Sequence, residues 1–125
     1  MWDFFTEDEL RCKGTDECNM DEEFMEMLVA LRYAYDKPMV ISSGYRDASY
    51  NQVIGGAKNS PHLSGKAVDV VVSGKDAYEL MSLAMEKGFS GIGVSQRGPH
   101  ESRFIHIDTM DNSNMHPRPW VWSYK

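Results

Sequence analysis

Hydrophobic residues first recur along the chain with the period of an amphipathic helix. Between residues 24 and 34 they fall mostly three or four positions apart, the spacing that places side chains on one face of a helix. Asp21 can cap this helix, which we expect to run to about residue 35 because Pro38 cannot continue it. A second stripe of the same period predicts a helix over about 75–87, with Gly88 positioned to end it.

Runs of apolar, largely β-branched residues predict strands between the helices. They cover residues 39–43, 67–72, 91–95 and 103–109. A short helix is expected around 48–54, and the aromatic tail 117–124 should pack back on the body of the protein. The order α-β-α-β-α-β-β, with a short loop between the last two strands, predicts an α+β fold. We expect one domain over 1–125, with a small, mainly antiparallel sheet and helices on one face.

Polar residues inside two of these apolar runs are candidates for a metal site. Asp69 lies within its run, where burying an unpaired carboxylate would cost several kcal/mol, and His62 lies at the mouth of the same strand. Alternation places His106 and Asp108 on one face of the last strand. Any one of these residues alone would more often be a hydrogen-bonded core residue. Because neither apolar run offers its carboxylate a Lys or Arg, the set predicts a Zn²⁺ site with an open fourth position.

Composition and charge exclude several classes of protein. The chain has 125 residues and a net charge of −6, which argues against nucleic-acid binding because nucleic acids select basic surfaces. No apolar run is long enough for a transmembrane helix, and the acidic start lacks the pattern of a signal peptide. We therefore expect synthesis in the cytoplasm and no membrane insertion. Cys12 and Cys18 are expected to be free thiols, and we assign them no function.

The motifs around these residues resemble one known family. The pattern S-x-H-x-x-G-x-A-x-D is formed by Ser60, His62, Gly65, Ala67 and Asp69. It resembles the signature of the M15 zinc peptidases, and Ser43-Gly-Tyr-Arg46 and His106-Ile-Asp108 follow the family order. The family comprises D-alanyl-D-alanine carboxypeptidases and peptidoglycan endopeptidases that share a fold with the hedgehog signalling domain. The chain looks most similar to the short, phage-type branch.

The resemblance implies roles for individual residues. The implied zinc ligands are His62, Asp69 and His106. Arg46 would bind a substrate carboxylate or stabilise the tetrahedral intermediate, although an Arg in a loop is otherwise a solvated charge. Asp108 would orient a ligand imidazole. The alternative is that Asp108 is a surface residue at the end of a strand. Ser60 would support the site or hydrogen-bond the substrate.

The general base is the ambiguous part of the pattern. Several branches of the family carry an acidic residue three positions before the last His ligand, and here that position is Arg103. The nearest carboxylate is Glu101, which we predict to be the base if its loop folds over the metal. His100 is the alternative as a base or as a hydrogen-bond donor. His116, near the C-terminus, is expected to be exposed to solvent.

The resemblance therefore implies a zinc-dependent metallopeptidase that hydrolyses stem or cross-link peptides of peptidoglycan. It implies a monomer that reaches the cell wall after release, as a phage lysin, or as a component of the virion. A second hypothesis is a non-catalytic, zinc-stabilised binding or virion structural module of the same fold. Arg103 in place of the acid favours this second hypothesis, and Arg46 argues against it.

Overall fold

A five-stranded sheet forms the centre of the fold in the computed structural model, which describes residues 2–124. The strands are β1 (Val40–Ser43), β2 (Ala67–Val71), β3 (Gly91–Ser95), β4 (Phe104–Asp108) and β5 (Trp120–Ser123). Their order across the sheet is β1-β2-β4-β3-β5. All neighbours are antiparallel except β3 and β5, which are parallel. The expectation of an α+β fold with a mainly antiparallel sheet is confirmed.

Within the described residues 2–124 the chain also forms four α-helices and two 3₁₀-helices, of which the first two α-helices precede β1 and the others lie between strands. They are α1 (Glu7–Leu10), α2 (Glu22–Tyr35), α3 (Ala48–Val53), α4 (Gly74–Glu86) and the 3₁₀-helices Pro61–Ser64 and His100–Ser102. The sequence did not predict α1, because one turn is too short to show a period. A capping box between Thr6 and Glu9 nevertheless stabilises it. Within residues 2–124, no helix combines the length and hydropathy needed to cross a bilayer.

The apolar core lies on one face of the sheet. Alternation along β2 and β4 turns their aliphatic residues to this face, where Val68, Val70, Ile105 and Ile107 are almost fully buried. The apolar stripes of α2 and α4 belong to the same buried cluster. The helices α2 and α4 therefore occupy this side, and the opposite face of the sheet remains available for a site.

A single row of paired residues crosses that opposite face. Reading from β1 to β5, the row contains Ser43, Asp69, His106, Gly93 and Trp122. Because each residue is paired with its neighbour in the row, the sheet register itself brings the Asp69 carboxylate next to the His106 ring. Two of the three candidate ligands, Asp69 and His106, are thus positioned by the pairing of β2 with β4.

Two glycines of β3 make room for the side chains on this face. A Cβ atom on Gly93 would lie 2.8 Å from the Trp122 ring, and one on Gly91 would lie 2.3 Å from a carboxylate oxygen of Asp108. Any other residue at these positions would push aside the indole or the carboxylate. The tail packs on the body as expected, but it does so as a fifth strand that the sequence did not predict.

Candidate metal centre and cleft

Two imidazoles and one carboxylate meet on the polar face of the sheet. His62 comes from the 3₁₀-helix Pro61–Ser64, Asp69 from β2 and His106 from β4. Asp69 Oδ1 lies 3.2 Å from His62 Nε2 and 3.0 Å from His106 Nδ1. The possible ligand atoms of the three residues lie within 4.8 Å of one another, and all three side chains are buried. The structure thus brings together the three residues that the sequence proposed as ligands.

The turn that carries His62 is fixed at both ends. Ser60 caps the 3₁₀-helix, since its Oγ accepts a hydrogen bond from the His62 N–H at 3.2 Å. Gly65 ends the helix in the left-handed conformation, with φ of 70°, and a Cβ there would lie 2.1 Å from the Asn19 carbonyl oxygen. Ser60 therefore orients a ligand through the backbone, and it also lines the cleft described below.

Each imidazole donates a hydrogen bond from the ring nitrogen that points away from Asp69 (the outer nitrogen), and this bond fixes its tautomer. His62 Nδ1 lies 2.7 Å from the Gly44 carbonyl oxygen, which can only accept. His106 Nε2 lies 2.7 Å from Asp108 Oδ2, an acceptor when ionised. Both outer nitrogens must therefore donate, so a neutral ring carries its lone pair on the nitrogen that faces Asp69. Burial lowers the pKa of His62, which keeps this ring neutral at neutral pH.

The donor set fits a divalent cation. Burial raises the pKa of Asp69, but hydrogen bonds from the rings of His106 and His62, when these carry a proton towards it, outweigh burial and hold that pKa below its usual range. With both rings neutral, two ring lone pairs would face this anion at about 3 Å, which is repulsive unless a proton or a cation lies among them. Two nitrogens and one carboxylate oxygen, with each ring anchored through its other nitrogen, match the ligands of a zinc site.

Without a metal ion, a proton can lie among these three groups, but of the two rings only that of His106 is disposed to carry it. Burial lowers the pKa of His106, but hydrogen bonds with Asp108 and Asp69 outweigh burial and raise that pKa overall. Protonation of His106 Nδ1 would satisfy one of the two contacts with Asp69, whereas the neutral His62 ring would keep its lone pair directed at the carboxylate. Among these choices, only a metal ion satisfies all three groups at once.

Asp108 is held by an arginine that sequence reasoning missed. Arg118 donates from Nε to Oδ1 at 2.9 Å and from Nη2 to Oδ2 at 2.8 Å. Burial raises the pKa of Asp108, but the hydrogen bonds from His106 and Arg118 lower it to about 2. The expectation that both buried carboxylates need a bound cation is therefore wrong for Asp108, because its counter-charge comes from the tail. The one available signal was an arginine in an aromatic tail expected to pack back on the protein.

Arg46 lies beside the metal centre. Its Nη2 is 3.6 Å from Asp69 Oδ2, and its side chain is only 16% exposed. Ser43 Oγ accepts from Nε at 3.1 Å, and Asn51 Oδ1 accepts from Nη1 at 3.3 Å. Asn51 is itself buried and donates to the Ala57 carbonyl at 2.8 Å. The guanidinium is therefore a positioned charge and not the solvated one that an Arg in a loop would otherwise be.

An open cleft of about 640 Å³ leads to the three candidate ligands. Its walls are Arg46, the loop 55–61, the segment 115–118 and the aromatic residues of β5 and its end. The charged residues that line it are Arg46, Lys58, Arg118 and the carboxylate Asp69. Because Arg118 is already paired with Asp108, Arg46 and Lys58 are the cations that the cleft can offer to a ligand.

His116 lies in this cleft, contrary to the expectation that it is exposed. Its side chain is half-buried, and Nε2 is 2.6 Å from the Asn59 carbonyl oxygen. The expectation took no account of the path of residues 109–119 between β4 and β5. That segment runs back across the cleft before it enters β5, which places His116 opposite the loop that carries His62.

The structure does not bring Glu101 or His100 into the cleft. Both are exposed in the 3₁₀-helix before β4, and neither lines the cavity. His100 Nδ1 pairs with Ser73 Oγ at 3.1 Å, and Arg103 Nε donates to the Gly98 carbonyl at 3.0 Å. The tight turn before β4 thus closes on itself instead of folding over the metal centre. The roles predicted for Glu101 and His100 have no geometric support here.

Comparison with known proteins identifies a family and several relatives of this chain. Residues 3–108 match the model of the family described as peptidase M15. A zinc D-Ala-D-Ala carboxypeptidase of Streptomyces albus G is 36% identical over 69 residues, which cover 54% of this chain and 27% of that protein. The probable peptidoglycan L,D-endopeptidase MepK of Haemophilus influenzae is 39% identical over 71 residues, with 53% and 36% covered. Peptidoglycan L,D-endopeptidase MepK of Escherichia coli K12 is 33% identical over 78 residues, with 58% and 41% covered.

The alignments with these relatives extend over only 27% to 41% of each relative's length. The family match, in contrast, covers most of the chain and includes the three candidate ligands, Arg46 and Asp108. It ends before Arg118 and β5, so the tail that closes the cleft lies outside it. On the extent of this match, the chain belongs to the peptidase M15 family.

Proposed function

We propose that this protein is a zinc-dependent peptidase that hydrolyses peptide bonds of bacterial peptidoglycan. The observation that carries the proposal is the convergence of His62 Nε2, His106 Nδ1 and Asp69 Oδ1 at one point of an open cleft, each ring being anchored through its other nitrogen. Membership of the peptidase M15 family supports it. So do the names of the relatives, a zinc carboxypeptidase and peptidoglycan endopeptidases.

The residues around the metal site would have different roles. Zinc held by His62, Asp69 and His106 would supply a Lewis acid that polarises a carbonyl group and makes water a better nucleophile. Asp108 fixes the orientation and tautomer of the His106 ring. Arg46 offers a guanidinium at the edge of the centre, where it can donate to a carboxylate or to a carbonyl oxygen that gains negative charge.

The charge of the cleft supports an anionic peptide as substrate. Arg46 and Lys58 line it, whereas Arg118 is already paired with Asp108, so a peptide with free carboxylates is favoured over a basic one. Stem peptides of peptidoglycan carry such carboxylates on their acidic residues and at their C-termini. The cleft volume of about 640 Å³ lies in the range of sites that bind small ligands, about 300–1,000 Å³.

The test is digestion of purified peptidoglycan by protein loaded with zinc, by protein treated with chelator, and by treated protein after zinc is restored. We expect soluble fragments with new amino and carboxyl termini in the first and third samples only. Mass spectrometry of the fragments separates loss of a terminal D-alanine from cleavage within a stem or cross-link. His62→Ala, which removes a ligand, is the inactive control. Fully zinc-loaded protein that releases no fragment would contradict the proposal.

One observation favours a second candidate, a zinc-stabilised module that binds peptidoglycan without cutting it. Arg103 stands where several branches of the family have an acid, and Glu101 lies outside the cleft. Such a module would hold zinc and co-sediment with the cell wall, yet release nothing. Fragment release and sedimentation measured on the same sample therefore separate the two functions.

A further inference from the structure

Hydrolysis of a peptide bond requires a group that moves a proton. One water is consumed: its oxygen bonds to the carbonyl carbon while it loses a proton, and the amide nitrogen gains a proton as the C–N bond breaks. The products are a carboxylic acid, which ionises at neutral pH, and an amine, which takes up the proton so released. A side chain that accepts the proton of the water and then passes it to the nitrogen serves both steps, and it must lie within the cleft to do so.

Few residues that line the cleft can accept a proton near neutral pH. His62, Asp69 and His106 face one another as candidate ligands. Arg46, Lys58 and Arg118 are cations. Burial, with Asp69 nearby, raises the pKa of Tyr124 to about 12, so its hydroxyl is already protonated. Among the described residues that line the cleft, the one imidazole or carboxylate left over is His116.

The hydrogen bonds of His116 orient its ring as a base. The Asn59 carbonyl oxygen lies 2.6 Å from Nε2 and can only accept, so Nε2 donates and Nδ1 carries the lone pair. This is the arrangement in which a backbone carbonyl fixes the tautomer of an imidazole. It matches the bond by which the Gly44 carbonyl holds His62. The neutral ring is therefore held in a defined tautomer, with Nδ1 as the nitrogen that can accept a proton.

The backbone on both sides of this hydrogen bond is also constrained. The His116 N–H donates to Ser113 Oγ at 3.0 Å, and the Ser113 N–H donates to the His116 carbonyl at 2.9 Å, which closes a tight turn. Asn59 directly precedes Ser60, the residue that caps the helix of His62. The ring of His116 is thus tied to the same loop that delivers a metal ligand.

We propose that His116 is the catalytic residue that transfers protons in this site, accepting one from water at Nδ1 and returning it to the amide nitrogen. It takes the place of the acid that Arg103 replaces in the sequence pattern. The inference rests on the proposed peptidase function and assigns a role in the same cleft to a residue outside the family match.

The test compares His116→Gln with His100→Gln. Both variants lose an imidazole, but His100 is exposed and lies outside the cleft. A glutamine at position 116 can still donate to the Asn59 carbonyl, although it has no basic nitrogen. We expect His116→Gln to keep its zinc and its melting temperature while kcat/KM falls by about 10²–10⁴-fold. His100→Gln should stay within about twofold of the wild type, as expected for a residue that touches no reacting atom.

Further measurements keep the inference falsifiable if one variant folds poorly. Imidazole added to His116→Ala should restore part of the lost rate, and the acidic limb of the pH profile of kcat/KM should be absent in His116→Gln. Long-range ¹H–¹⁵N spectra of the wild type should show His116 with a protonated Nε2 and an unprotonated Nδ1. The opposite tautomer, or a fully active His116→Gln, would overturn the inference and leave the peptidase function standing. Zinc-loaded wild type without any hydrolysis would overturn both.

Discussion

Replacing Arg118 by alanine should destabilise the protein more than any exchange of a surface arginine. The side chains of Asp108 and Arg118 are 0% and 6% exposed, and two charge-assisted hydrogen bonds join them. Removing one partner of a buried ion pair leaves an uncompensated charge and typically costs about 3–5 kcal/mol. That is a large part of the total stability expected for one domain, about 5–15 kcal/mol.

The lowered pKa of Asp108 gives a second value for what this carboxylate contributes to the free energy of unfolding, together with its dependence on pH. A carboxyl whose pKa falls from its usual 3.8 to about 2 stabilises the folded state by about 2 kcal/mol. Because the folded-state pKa is the lower one, this stabilisation is complete above about pH 4 and is lost as the pH falls towards 2. His106 and Arg118 share it, so the ionic part of the cost in Arg118→Ala should shrink in the same pH window.

Urea unfolding of the metal-free protein at pH 7, monitored by far-UV circular dichroism, measures the effect. We expect Arg118→Ala to lose about 2–5 kcal/mol in the free energy of unfolding. Arg11→Ala is the matched control: its ion pairs with Asp8 and Asp16 measure 3.4 and 3.7 Å on the surface, and it should lose less than about 1 kcal/mol. Equal losses in the two variants would refute the argument. Arg118→Lys should be intermediate, because an ammonium group cannot reproduce the two-pronged contact.

Three further predictions follow from the site. Elemental analysis should find about one zinc per chain, as a site with three protein ligands implies. Asp69→Ala should lose both the metal and thermal stability. A metal-free protein as active as the zinc-loaded protein would contradict this prediction. Arg46→Lys should keep zinc and folding but lose at least about tenfold in kcat/KM, equivalent to about 1.4 kcal/mol, and wild-type turnover would make Arg46 a structural charge. Gly93→Ala should cost about 1–3 kcal/mol in urea unfolding, since its Cβ would meet the Trp122 ring at 2.8 Å. An unchanged unfolding midpoint would show that the indole moves aside freely.

The parts of the fold that the sequence predicted are those in which local pattern and burial agree. The two long helices were expected over about 21–35 and 75–87 and are found at Glu22–Tyr35 and Gly74–Glu86. Asp69 and His106 could be proposed as neighbours because each interrupts an apolar strand, where a polar group requires a partner. Neither inference depends on how distant segments are arranged.

The prediction of Glu101 as the general base rests on a different kind of argument. It takes the short distance along the sequence to His106 as a short distance in space. The 3₁₀-helix before β4 breaks that assumption, because its hydrogen bonds turn both Glu101 and His100 towards solvent. Local pattern identifies which residues are buried, but it does not say where a three-residue turn directs an exposed side chain.

The path of residues 110–124 could not be predicted from the sequence. Arg118 and His116 reach the site only because β5 pairs in parallel with β3, which carries the chain from the end of β4 back across the polar face of the sheet. Nothing in the period of residues 110–124 predicts that pairing, and the register that follows from it depends on Gly93 leaving space for Trp122. The two glycines of β3, the aromatic residues of β5 and the arginine between them thus form one unit. Two strands of apolar sequence position the candidate ligands Asp69 and His106, and the segment that joins β4 to β5 adds the counter-charge of Asp108 and the imidazole of His116.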